Sequence, residues 1–220
     1  MKKHTRVRGR GTARALAVVS LAGLSAAAAA PADAVGQTAG ETITVNARHH
    51  VLAGETVRLS GRLGSGQAGR QVVVRIRKGG GWQTVDRVRT GRGGAYVANW
   101  APRGLDRYGV RVGTVTGGAK RSLRGGVTVY RRSAASWYGP GFYGNRTACG
   151  RTLGRGTLGV AHKSLPCGTK VAFRYNGRTV VAPVIDRGPY AGNREYDLTA
   201  ETKRRLGFGS TGTVWSSPQS

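Results

Sequence analysis

The sequence predicts an all-β chain, with strands in two blocks and one short helix near the end. Two observations carry this. Short runs alternate apolar with polar side chains, and the first block holds no helical period. Glycine fills 37 of the 220 positions, which cuts the chain into short strands joined by turns.

The first 34 residues read as a secretion leader. Lys2, Lys3, Arg6, Arg8, Arg10 and Arg14 make a basic start, residues 15–30 a small apolar run, and Ala32-Asp33-Ala34 a cleavage signature before Val35. The apolar run is mostly alanine and falls short of the roughly 20 residues of a membrane span. No twin-arginine pair precedes it, and it holds no cysteine for lipid attachment. General secretion, release of the mature chain and an extracellular or wall-associated location are therefore expected.

Residues 35–40 are a polar lead-in. From 41 to 132 seven strands are expected, at 42–45, 56–60, 71–77, 84–88, 95–100, 108–112 and 127–130, with glycine-rich turns between them. They would form an antiparallel sandwich whose outward faces carry arginine. Trp82 and Trp100 are expected in its core, since aromatic rings dominate core burial. His49 and His50 are adjacent, so on a strand they would face opposite ways and could not share a metal. The acids of this block are scattered, and no catalytic constellation emerges from them. The cadence G-R-x-V-x-V-R-I-R, G-G-W-Q-T-V, G-A-Y, Y-G-V-R-V resembles bacterial immunoglobulin-like modules of secreted proteins. That resemblance implies a spacer or a weak wall-binding module.

Residues 133–135 read as a linker, and 136–220 as a second domain. Strands are expected at 158–162, 170–175, 178–185 and 213–215. A helix fits 200–206, with Thr199 as its cap, basic residues in its last turn and Gly207 after it. Cys149 and Cys167 are the only cysteines, and in a secreted chain they read as one disulfide.

Charge bounds the partners. The chain carries a formal +27. Loss of the leader would leave 30 basic against 8 acidic residues, about +22. Nucleic acid is the ordinary partner for such a charge, and a secretion leader argues against it. Anionic wall polymers remain, held in a salt-dependent way.

Within the second domain the only carboxylates are Asp186, Glu195, Asp197 and Glu201. The stretch 184–199, V-I-D-R-G-P-Y-A-G-N-R-E-Y-D-L-T, holds three of them beside two tyrosines and two arginines. It starts as an apolar strand, breaks at Gly188-Pro189 and runs toward a helix. Glycosidic cleavage needs a proton donor for the leaving oxygen, and often a second carboxylate. Asp186, at a strand-to-turn junction, can serve as that donor or can brace the turn through backbone amides. Asp197 can serve the site or cap the helix. Glu201 falls in the first helical turn and complements its dipole, and Glu195 reads as a surface charge.

Five motifs in order then become specific: A-S-W-Y-G (135–139), G-F-Y-G-N-R-T-A-C-G (141–150), V-A-H-K-S-L-P-C-G-T-K-V (160–171), V-I-D-R-G-P-Y (184–190) and Y-D-L-T (196–199). Together they closely resemble the rare lipoprotein A (RlpA-like) family. The resemblance implies a six-stranded double-psi β-barrel related to expansins and barwin-type proteins. It implies binding to peptidoglycan glycan strands. In some members it implies lytic transglycosylase activity between N-acetylmuramic acid and N-acetylglucosamine, leaving a 1,6-anhydro ring. His162 and Asp186 match the family's proposed active-site pair, with Asp197 as the second aspartate of the groove. Trp137, Tyr138 and Tyr190 match groove aromatics, and Arg187 and Arg151 are expected at the groove as substrate contacts. Arg151 stands where many members carry a glutamate implicated in activity, so a non-catalytic, expansin-like wall-loosening role is the alternative. Neither role calls for a cofactor or metal, and a monomer is expected.

Overall fold

The computed structural model describes residues 40–220; the leader lies outside them. Thirteen strands and one helix follow in order. They are β1 (His50–Leu52), β2 (Val57–Arg62), β3 (Gln71–Arg77), β4 (Gln83–Arg89), β5 (Ala95–Trp100), β6 (Asp106–Thr114), β7 (Lys120–Ser122) and β8 (Val127–Tyr138). After these come β9 (Val160–His162), β10 (Lys170–Tyr175), β11 (Arg178–Asp186), β12 (Tyr196–Thr199), α1 (Ala200–Leu206) and β13 (Gly212–Gln219).

Alternation builds the N-terminal half. Val72 and Val74 of β3, Tyr108, Val110 and Val112 of β6, and Val57 and Leu59 of β2 all turn inward and are buried. They share one hydrophobic cluster with Tyr96, Ala98 and Trp100 of β5. The β2–β5 pair thus packs against a sheet ordered β4-β3-β6-β7. Trp100 is core, as expected. Trp82 is not: it follows the Gly79–Gly81 turn on the outward side and is only half-buried. There the guanidiniums of Arg111 and Arg77 lie 4.1 and 5.1 Å from its ring. The run 42–45 makes no strand; isolated bridges join Ile43 to Leu63 and Asn46 to Ser60.

The C-terminal half is a closed barrel. Going round it, β8, β13, β10, β11, β9 and β12 are each paired to the next, and β12 pairs back to β8. Two pairings, β11–β9 and β12–β8, are parallel; the others are antiparallel. The interior holds Ala135, Val160, Val171, Phe173, Ala182, Val184, Tyr196, Leu198 and Val214, with Leu206 of α1 over one side. The helix has the bounds its sequence signals. Thr199 Oγ1 accepts from the Thr202 amide at 3.3 Å, and Gly207 ends it in the left-handed conformation with φ 66°.

One strand serves both halves. The first part of β8 pairs with β1 and β6, and the second with β13 and β12. Residues 133–135 lie inside this strand, and Ser133 and Ala135 are buried. Tyr130, fully buried on β8, stands between His50 and Trp215, with ring centroids 5.7 and 5.9 Å away.

Candidate active site

Three neighbouring strands set the two aspartates. Asp186 ends β11 and registers with Ala161 of β9; Asp197 of β12 registers with the same Ala161 from the other side. Paired residues point to one face of a sheet, so the two carboxylates flank a small alanine on the barrel wall. A β-bulge between Val184 and Asp186 brings Asp186 into that register. Ser136 of β8 registers with Asp197 and donates its hydroxyl to Asp197 Oδ1 at 2.7 Å. The row therefore runs Asp186, Ala161, Asp197, Ser136 across the wall.

This row lies in an open cleft of about 580 Å³. Trp137, Tyr138, Phe142, Tyr190 and Arg194 line it with the aspartates, as does the cis Gly188–Pro189 turn. Tyr190 is 78% exposed and Phe142 55%. Two solvent-facing rings on a cleft offer stacking faces for an apolar sugar surface. Tyr138 packs edge-on against Phe142, and its buried hydroxyl lacks a hydrogen-bond partner. That hydroxyl stands near Asp186 and Asp197, outside bonding geometry to either. Burial first, then these two carboxylates, push its pKa well above the ordinary tyrosine value. Trp137 lies half-buried beneath the Lys203 ammonium, 3.7 Å from its ring. Tyr190→Ala is expected to leave Tm unmoved, because the ring is exposed; a melting curve checks this.

The two carboxylates have different surroundings. Asp186 Oδ1 accepts the backbone amides of Ala148 and Arg187, each at 2.9 Å. It therefore braces the turn, as one reading of the sequence held, while Oδ2 accepts neither amide. Asp197 is half-buried, and this burial raises its pKa; the Asp186 charge adds to the rise, while Ser136 and Arg194 oppose it. The sequence offers Asp186 as donor or as brace; the structure shows it bracing the turn, and the raised pKa is that of Asp197.

His162 does not join them. Strand alternation puts Ala161 on the cleft wall and turns His162 the other way. Its Nδ1 accepts the amides of Ser164 at 3.1 Å and Leu165 at 2.9 Å, and its ring lies against Tyr196, 4.9 Å between centroids. Nε2 is 3.6 Å from Glu195 Oε1, and Glu195 is held by both terminal nitrogens of Arg131. Burial lowers the His162 pKa, with Glu195 pulling it back up. Glu195 is thus the partner of a buried histidine and an arginine rather than a free surface charge.

Arg187 lines the cleft but spends its guanidinium on the loop behind it. It donates to the carbonyls of Leu165 at 2.8 Å and His162 at 3.3 Å, with Cys167 Sγ 3.3 Å away. Arg151 is exposed and does not line the cleft; its amide donates to Thr147 Oγ1. The Cys149–Cys167 disulfide is present, with 5.7 Å between Cα atoms. It ties the turn that supplies the Ala148 amide to the loop that Arg187 grips. Glu201 lies in the first turn of α1, where Arg204 and Arg205 hold its carboxyl down at about 2. Among the described residues, no group of three His, Cys, Asp or Glu side chains is placed to hold a metal, and no helix is long and apolar enough to cross a membrane.

Ser136 and Phe142 lie within the motifs 135–139 and 141–150 but were not among the expected site residues; Arg194, one of the two arginines of the 184–199 stretch, also lines the cleft. Only the register of β8 against β12 shows that Ser136 meets Asp197.

Residues 131–215 match the double-psi β-barrel family model described as "Lytic transglycolase". The chain is 40% identical over 132 residues to the "Probable endolytic peptidoglycan transglycosylase RlpA" of Synechocystis sp., covering 59% of this chain and 39% of that protein. It is 43% identical over 82 residues to the "Endolytic peptidoglycan transglycosylase RlpA" of Campylobacter jejuni, covering 36% of this chain and 30% of that one. The chain therefore spans well under half the length of these curated relatives. A solved structure, the Streptomyces papain inhibitor, aligns over 40% of this chain and 92% of that chain at 21% identity, with a TM-score of 0.32. The C-terminal segment is a double-psi β-barrel domain, as its five motifs implied.

Proposed function

We propose that the barrel binds peptidoglycan glycan strands and cleaves them as an endolytic lytic transglycosylase. The observation that carries this is the pair of unlike carboxylates flanking Ala161 in an aromatic-lined cleft. A lytic transglycosylase needs a proton donor for the leaving oxygen and an acceptor for the proton of the attacking hydroxyl. Asp197 is the donor: burial keeps its proton at higher pH than an ordinary aspartate would. The bond from the muramyl anomeric carbon to the glucosaminyl oxygen breaks, and that oxygen takes the Asp197 proton. The muramyl 6-hydroxyl closes on the anomeric carbon and gives its proton to Asp186 Oδ2. No water is consumed, and solvent resets the two protons. Tyr138 and Arg194 stand where charge develops, Tyr190 and Phe142 hold sugar faces, and His162 acts through the loop it caps.

Ser136→Ala tests the proton assignment by its sign. The Ser136 hydroxyl stabilises the Asp197 carboxylate and so lowers its pKa. Removing it raises that pKa further, and the alkaline limb of the kcat/KM profile is expected to move to higher pH. A limb that stays put, or moves down, assigns the titration to another group.

Arg151 favours a second reading, a non-catalytic glycan-binding or wall-loosening barrel. It stands where catalytic members of the resembled family carry a glutamate, and it lies off the cleft. Incubation with purified sacculi separates the two. Release of soluble glycan by the intact chain, abolished in the Asp186→Asn/Asp197→Asn double variant, supports cleavage. Retention on sacculi with no release by either protein supports binding alone.

In this reading the chain is exported by its leader and acts outside the cell or in the wall, as a monomer. Its domains are 41–132, an immunoglobulin-like sandwich, and 136–220, the barrel. Two separate hydrophobic clusters support that division.

A further inference from the structure

A strongly basic surface lies on the other half of the chain. The outward face of the β3–β6–β7 sheet gathers Arg75, Arg77, Arg107, Arg111 and Lys120 around Trp82. Two adjoining hollows of about 250 and 540 Å³ share Arg111. Gly109 and Gly113 help to floor them, so the arginines rise above a low backbone.

No carboxylate relieves this charge. Among the described residues, none of these five cations has an acidic group within ion-pair distance. Asp86 spends its oxygens on the amides of Arg87 and Asn99. Asp106 is buried and engaged by Lys78 and Ser220. Arg75 and Arg111 register directly opposite one another on β3 and β6. Like charges in that relation destabilise a sheet, and an anion between them reverses the sign. Trp82 prearranges the site. With Arg111 stacked at 4.1 Å and Arg77 at 5.1 Å, both guanidinium planes are restrained while their N–H edges stay open. Arg107 is steadied in turn by donating from Nε to the Gly125 carbonyl at 3.2 Å.

We propose that this face binds a phosphodiester polymer, a chain of phosphate groups joined by short polyol or sugar units. Guanidinium forks match the paired free oxygens of a phosphodiester, which stays charged across the pH range of a folded protein. Arg75 and Arg77, two residues apart on β3, repeat every 7 Å or so, roughly two strand rises. The hollows beside Trp82 give the uncharged linkers room. This surface is independent of the cleft, and its test uses neither sacculi nor cleavage.

The probe is purified poly(glycerol phosphate), titrated into the intact protein at several salt concentrations. Saturable binding is expected. Arg77→Glu/Arg111→Glu should weaken it about tenfold or more, with the slope of log K against log salt shallower by about one to two, as for lost phosphate contacts. Arg58→Glu/Arg92→Glu changes the net charge equally at exposed positions elsewhere and should lose far less. Trp82→Ala should fall between them. Arg77→Gln/Arg111→Gln, with a melting curve, keeps the answer should the reversed pair fail to fold. Equal losses in the two Glu pairs would reduce the effect to net charge and overturn the site. Equal affinity for polyglutamate would overturn the preference for phosphate. Tighter capture of duplex DNA, lost with Arg77 and Arg111, would replace the proposed partner with nucleic acid.

Discussion

Asp197→Asn is expected to slow glycan cleavage by about 10²–10⁴-fold, the ordinary contribution of a positioned proton donor. The amide keeps the shape of the carboxyl and can still bond with the Ser136 hydroxyl at Oδ1. It cannot deliver a proton to the leaving oxygen. Binding to glycan should change little, so the loss should fall on kcat rather than KM. Stability should hold or rise slightly. A half-buried carboxylate with a raised pKa costs the fold something at neutral pH, and a neutral amide removes that cost. Single-turnover cleavage, glycan titration and melting curves measure the three quantities. A variant with full activity would remove Asp197 from the chemistry and leave Asp186, the other carboxylate of the row, as the donor.

Replacing Cys149 and Cys167 by serine is expected to destabilise the protein by about 3 kcal/mol, from the chain entropy of an 18-residue closure. For a unit of this size that lowers Tm by roughly 6–12 °C. The effect should reach the site as well. The bridge joins the turn whose Ala148 amide holds Asp186 Oδ1 to the loop whose Leu165 and His162 carbonyls hold Arg187. Loosening both supports lets the Asp186 carboxylate turn away from its row. Activity should therefore fall even at temperatures where the reduced protein stays folded. Circular dichroism melts with and without reductant, paired with cleavage rates at 20 °C or so, test this; a Tm unchanged by reduction would contradict the role given to the bridge.

The barrel was legible because its motifs are long, ordered and specific. The helix was legible residue by residue, since Thr199 and Gly207 punctuate it. What escaped the sequence has physical causes. β12 is four residues long, and its alternation of Tyr196 and Leu198 inward against Asp197 outward is too brief to stand out from the polar run before it. β7 is exposed on every side chain, so it has no apolar period to read. The linker expected at 133–135 consists of the small residues Ser133, Ala134 and Ala135, and these sit in β8 because small side chains fit where its neighbouring strands crowd together. Trp82 was assigned to the core by residue type, but two arginines cover its ring in place of aliphatic packing.

The site was half legible. Asp186, Asp197, Trp137, Tyr138 and Tyr190 do line one cleft. The raised pKa of Asp197 comes from its burial, set against the Ser136 hydrogen bond across the β8–β12 register, and neither can be read along the chain. His162 illustrates the limit of motif matching. It lies one residue from Ala161, which stands between the aspartates in register, yet a period of two sends its ring to the opposite side of the strand.

Cleavage of glycan by the two aspartates consumes no water, so the origin of the oxygen at the new ends is decisive. Denuded glycan strands digested in heavy-oxygen water, with mass spectrometry of the new ends, should yield 1,6-anhydromuramyl ends that carry no heavy oxygen, formed by the intact chain and lost in Asp197→Asn. Reducing ends carrying heavy oxygen would show hydrolysis instead, and strands that bind without being cut would show a barrel that only holds its glycan.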